Sequence, residues 1–216
     1  GNDIMRPIIA QEKSSFDFRK IMDEKKILLI NLSKGRLGDI NSHLLGLIIV
    51  GKILMSALSR ADIPEDQRND FYLYIDEFQN VTTDSIATIL SEARKYKLNL
   101  IIAHQFIGQL EENIKKAVFG NVGSVGSFRV GAEDGEFLAK QFEPVFDASD
   151  LLNIDNYRAY LKMLIGGQST RPFSITTLPF KKGDIDFGKK VAELSIARYG
   201  RSRVQVDEEI NKKFNV

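Results

Sequence analysis

The chain has 216 residues, 43% hydrophobic and 27% charged, enough for a sizeable α/β domain with its own core. Its 30 basic and 29 acidic side chains give a net charge of +1, so no global basic field marks it for nucleic acid and any such surface must be local. Cysteine is absent, which excludes disulfides and thiolate metal centres, and His43 and His104 are too few for a histidine-rich metal site. The chain opens on Gly1 with no signal or targeting pattern, which suggests a segment of a longer reading frame.

In chain order, residues 14–24 read as a short helix with Ser14 or Ser15 as N-cap. ILLINL, Ile27 to Leu32, is a continuous apolar run of the kind that forms a buried strand. The basic loop SKGRLGD, Ser33 to Asp39, opens a long helix over 40–60, with Asn41 or Ser42 as alternative caps. Its segment LLGLIIVGKILMSAL is about 15 residues long, contains Lys52 and falls short of the roughly 20 needed to span a bilayer, so a buried core helix is expected. Residues 61–70 form a polar connector with Pro64.

FYLYIDEFQN, Phe71 to Asn80, runs five apolar or aromatic residues into two acids. Such a run predicts a parallel strand covered on both faces, with Asp76 and Glu77 at its C-terminal end, where open α/β sheets place ligand chemistry. A helix over 84–96 follows, capped by Thr82 or Thr83, with Ile86, Ile89, Leu90 and Ala93 on its inner face. LIIAHQ is a second short strand ending at His104 and Gln105. An amphipathic helix is expected over 106–119, a small-residue strand in GNVGSVGSFRVG, and another helix over 132–142. A helical turn holds Leu151 and Leu152. YRAYLKMLI and RPFSITTLP read as a hairpin joined through GGQST. Residues 1–182 form the main domain. The tail over 183–216 is charge-dense and reads as mobile or bound outside the core, with one helix over 187–199. Alternation of strand and helix from 27 to 130 predicts an α/β fold with a mostly parallel sheet flanked by helices.

Three features carry candidate chemistry. Asp76 and Glu77 share one strand end, where an Asp can help hold Mg²⁺ and a Glu can polarise an attacking water; the structural alternative is that they cap the following turn. Gln105 ends the next strand and would lie beside the acids if the strands are neighbours; otherwise it satisfies backbone groups there. Arg94 ends the intervening helix, as a solvated cation favoured by the helix dipole or as an arginine finger for a neighbouring subunit. His104 is expected to pack on the opposite side. Lys34 and Arg36 in the Gly-containing loop could meet phosphate backbones, or be surface cations; Arg129 is equally open. No G-x-x-x-x-G-K-[ST] occurs anywhere, so the usual backbone cradle and lysine for nucleotide phosphates are absent from these residues.

FYLYIDEFQN, SEARKYKLNLIIAHQ and VFGNVGSVGSFRVGAEDGEFLAKQF together resemble the C-terminal half of the motor domain of the HerA–FtsK class. They are most similar to conjugative coupling proteins and type IV secretion ATPases of the TraG/TraD kind. The likeness covers roughly Lys26 to Pro179, and the missing phosphate loop is its main departure. It implies a RecA-like fold and a hexameric ring that hydrolyses ATP with Mg²⁺ and moves DNA at the cytoplasmic face of a bacterial inner membrane. Relaxosome or secretion-channel proteins would be its partners. It further implies Asp76 for Mg²⁺, Glu77 for water activation, Gln105 as γ-phosphate sensor and Arg94 as the finger acting in trans. This chain alone would then be inactive. The alternative is a non-catalytic docking module derived from such a motor; a third reading is an unrelated α/β enzyme with Asp76 and Glu77 as metal ligands.

Overall fold

The computed structural model describes residues 3–82, 84–181, 183 and 185–214. Helices α1 (Arg6–Ile9), α2 (Phe18–Asp23), α3 (Lys34–Leu37) and α4 (Asp39–Leu58) precede strand β1 (Phe71–Ile75). Next come α5 (Asp84–Glu92), β2 (Leu98–Ile102), α6 (Glu112–Asn121), β3 (Val125–Ser127), α7 (Ala132–Phe142) and α8 (Ala148–Leu152). The short strands β4 (Arg158–Lys162), β5 (Leu164–Ile165), β6 (Gln168–Ser169) and β7 (Phe173–Thr176) lead to α9 (Ile185–Tyr199) and α10 (Arg203–Phe214). The chain divides into two compact units, Gly1–Phe71 with Lys181–Val216, and Tyr72–Phe180.

In the first unit, Asp17 caps α2: its carboxylate accepts from the amides of Arg19 and Lys20. A carboxylate nearer the first turn therefore takes the place expected of Ser14 or Ser15, because it meets both the free N–H groups and the helix dipole. The expected strand at 27–32 does not form. Ile27 is 88% exposed and Leu29 82%, and no described strand pairs with this stretch. An apolar run becomes a strand only where neighbouring backbone offers a ladder. The basic loop is partly helical, as α3, and Gly38 at φ 77° separates it from α4. Asn41 and Ser42 are not caps. They lie inside α4 and donate to the carbonyls of Leu37 and Leu32, at 2.7 and 2.6 Å.

One face of α4 is buried through Leu45, Val50, Ile53, Leu54 and Ala57, the packing expected of a core helix. The stretch Asp39–Asp62 is also long and apolar enough to cross a membrane, by length and composition. Just beyond the end of α4, Arg60 is fully buried. Its Nε donates to Asp23 Oδ1 (3.0 Å) and its Nη1 to the carbonyl of Asn69 (2.9 Å), tying α2 to the connector before β1. Asp23 also pairs with Arg19 through its other oxygen. Exchanging Arg60 for Met should cost about 2 kcal/mol, less than a fully buried pair because Asp23 is partly exposed and keeps Arg19. Urea denaturation should read this as a lower midpoint. The tail is not detached: Val206 and Ile210 of α10 are buried, and Arg6 Nη2 donates to Asn211 Oδ1 at 2.7 Å. Its apolar spacing, hidden among charges, docks it on its own unit.

In the second unit, β1 and β2 pair. The N–H of Ala103 donates to Ile75, and its carbonyl accepts from Phe78. Bonding to two different residues of the partner is the pattern of strands running the same way, with α5 as the crossover. β1 is not covered on both faces. Its burial alternates, with Tyr72 and Tyr74 exposed at 55% and 72%. Phe71, Leu73 and Ile75 form the packed side, and tyrosine tolerates the wet side because its ring carries a hydroxyl. Ile86, Ile89 and Ala93 are buried as the spacing predicted, and Leu90 is half-buried. Thr82 Oγ1 bonds back to Gln79 rather than forward to α5, and Thr83 lies outside the described residues.

The helix expected from Phe106 begins only at Glu112, after a 3₁₀ turn at Ile107–Gln109 held by Asp134, which accepts from the Ile107 amide. β3 does not extend the parallel pair; it runs antiparallel to β4, which runs antiparallel to β7 in the expected hairpin. The connection contains the small β5–β6 pair, closed by Gly166 and Gly167 at φ 58° and 81°, the double left-handed turn that glycine permits. The core here joins Ile107, Leu138, Ala139, Phe142, Leu151 and Ile154. Phe146 stacks on Tyr160 beside it, centroids 3.7 Å apart.

Candidate active site

The two hydrogen bonds of Ala103 fasten β1 on either side of Asp76 and Glu77, so the acid pair leaves the ladder at a fixed point. Glu77 adopts a left-handed backbone, φ 50° and ψ 46°. A non-glycine residue there costs of order 1 kcal/mol, and such strain concentrates at functional sites. The turn swings the Glu77 side chain back over the end of β2. Its Oε1 accepts from Gln105 Nε2 at 2.7 Å and its Oε2 from Gln79 Nε2 at 2.6 Å. Two amides thus hold one carboxylate, one per oxygen, and each oxygen keeps a lone pair.

Gln79 was not singled out in the sequence, although it lies in FYLYIDEFQN, two residues beyond Glu77. Spacing alone cannot show that a left-handed residue folds i+2 back onto i. Gln79 Oε1 and His104 Nδ1 are buried without a hydrogen-bond partner among the described residues. The His104 ring lies 6.4 Å from that of Phe78, a packed position.

Asp76 is exposed, and its Oδ1 accepts from the Glu77 amide at 3.0 Å. Its second oxygen remains for a ligand. Magnesium keeps several waters and takes only one or two protein carboxylates beside substrate phosphates. The donor set fits a magnesium ion that arrives with a nucleotide. No group of three His, Cys, Asp or Glu side chains that could hold a metal by itself occurs among the described residues. Arg94 is exposed in the 3₁₀ turn Ala93–Tyr96, directly after α5. Arg129 is exposed and reaches Asn156 Oδ1 at 3.4 Å. Lys34 and Arg36 belong to the other unit, on α3, where Lys34 Nζ stands 3.5 Å from Asp39.

The family described as the TraM recognition site of TraD and TraG matches residues 70–140, which include Asp76, Glu77, Gln79, Arg94 and Gln105. None of the curated proteins matches the chain by sequence. Among solved structures, the plasmid coupling protein TrwB in complex with ADP and Mg²⁺ superposes with a TM-score of 0.54 at 16% identity, over 70% of this chain and 38% of TrwB. The unbound bacterial conjugative coupling protein TrwB gives 0.53 at 17% identity, over 62% of this chain and 36% of the other. The genome packaging NTPase B204 of Sulfolobus turreted icosahedral virus 2, in complex with AMPPCP, gives 0.51 at 12% identity, over 78% and 74%. The chain therefore spans a little over a third of the length of the coupling protein. Its fold is the RecA-like α/β fold of these NTPases, and over residues 70–140 it is similar to the conjugative proteins TraD and TraG, as the sequence implied.

Proposed function

We propose that this chain supplies the water-activating part of a nucleotide site in a ring-forming, ATP-driven motor of the HerA–FtsK class that moves DNA during conjugation or type IV secretion. The observation that carries the reading is the Glu77 carboxylate, held between Gln105 and Gln79 at a strained strand end beside the open oxygen of Asp76. Glu77 accepts the proton of the attacking water on a free lone pair, and Gln105 orients that water and senses the γ-phosphate. Asp76 holds the magnesium ion, which when bound neutralises charge on the phosphates. The phosphate cradle comes from residues outside this chain, since no P-loop occurs in it. Arg94 reaches the nucleotide of the adjacent subunit, and Lys34 and Arg36 meet the DNA backbone. The ring works at the cytoplasmic face of a bacterial inner membrane.

Mixing two inactive variants of the complete motor tests this arrangement. Arg94→Ala and Glu77→Gln subunits should each lack ATP turnover alone, yet mixed rings should recover part of it, because some interfaces then pair an intact Glu77 with an intact Arg94. No recovery in proven mixed rings would remove Arg94 from the site.

A second reading is favoured by the family match itself. The stretch 70–140 would dock a TraM-type relaxosome component without catalysis. A pull-down with such a partner that survives Glu77→Gln in a protein devoid of ATP turnover supports it.

A further inference from the structure

The first unit contains a feature that the motor reading does not use. A cavity of about 630 Å³ opens between the segment leading into α2, the middle of α4 and the end of α9. This is within the roughly 300–1,000 Å³ of small-molecule sites. Three lysines from separate segments line it, Lys20, Lys26 and Lys52. Lys52 is the sole Asp, Glu, Lys or Arg between Asp39 and Arg60, within the apolar run 44–55 of α4. Lys26 is offset by Glu24 at 2.5 Å, whose hydrogen bond raises the Lys26 pKa. Lys20 and Lys52 make no close ion pair among the described residues, and Lys20 feels Glu24 only at longer range. The one acid among the lining residues, Asp17, accepts from two backbone amides of α2 through its Oδ1.

Hydroxyls and rings complete the wall. Ser56 lies one helical turn after Lys52 on α4, and Ser15 faces in from the loop. Phe16 and Tyr199 form an edge-to-face pair with centroids 6.2 Å apart, at 37% and 41% exposure, so ring surface remains free. Three ammonium groups with a single close carboxylate partner, Glu24, and hydroxyls at hand suit a phosphate, and partly open aromatic rings suit a planar base.

We propose that this cavity binds a nucleotide, its phosphate on Lys20 and Lys52 and its base against Phe16 and Tyr199. The ligand is a free mononucleotide or one nucleotide of a single strand. It shares no residue with the acidic strand end and needs no metal.

The test is equilibrium titration of this chain with adenosine monophosphate and with a short oligothymidylate, both in EDTA. Saturable binding is expected, weakened by salt and roughly tenfold by Lys20→Ala or Lys52→Met. Phe16→Leu should weaken it several-fold. Tighter binding of the oligonucleotide per site identifies a strand as the source, and equal binding a free nucleotide. Both lysine variants must keep the native circular dichroism; Lys20 is exposed on α2, so its exchange reports on the site even if Lys52→Met unfolds. The proposal is overturned if neither probe saturates or if Lys20→Ala leaves binding intact.

Discussion

Exchanging Glu77 for Gln in the complete motor should lower ATP turnover by about 10²–10⁴-fold, the range for removing a general base, with nucleotide affinity nearly unchanged. The variant should fold normally. Both oxygens of Glu77 now accept from amide N–H₂ groups, so the new amide nitrogen would confront a donor. Turning the Gln79 amide about its terminal bond relieves this and gives its buried, unbonded Oε1 a partner. Loss of turnover can then be assigned to chemistry, provided that the melting curve is unchanged. Steady-state turnover beside nucleotide binding checks it, and unaltered turnover would remove Glu77 from the proposed role.

Phe142→Ala should destabilise the protein by about 3–5 kcal/mol, the cost of deleting a large aromatic side chain from a packed core. Phe142 is fully buried at the end of α7, in one cluster with Ile107, Leu138, Leu151 and Ile154. No polar group needs to follow its ring out, so the cavity would be apolar and empty. Urea denaturation followed by circular dichroism should show a matching fall in midpoint. A change under about 1 kcal/mol would mean that α7 and α8 collapse into the space, unlike the usual core response.

The sequence was most legible where periodicity and burial agree. Ile86, Ile89 and Ala93 follow helical spacing and are buried, the helix over 132–142 occurs with those bounds, and the hairpin pairs as its glycines suggested. It failed where an apolar run depends on partners. Ile27–Leu32 has a strand's composition but no described ladder, and Tyr72 and Tyr74 alternate outward in a stretch that reads as continuous apolar. Capping went to Asp17 because it directly precedes the first turn of α2, which depends on where the chain bends. At the candidate site, the meeting of Gln105 with Glu77 followed from adjacent strands ending together. Gln79 could not be seen, since its role depends on the left-handed backbone at Glu77.

The most direct test of the half-site account is ATP hydrolysis by this chain, beside a longer form that includes a phosphate-binding loop. The account predicts no turnover by the chain, turnover in the longer form, and its loss on Glu77→Gln. Turnover by the chain alone, or turnover in the longer form that survives Glu77→Gln, would contradict it.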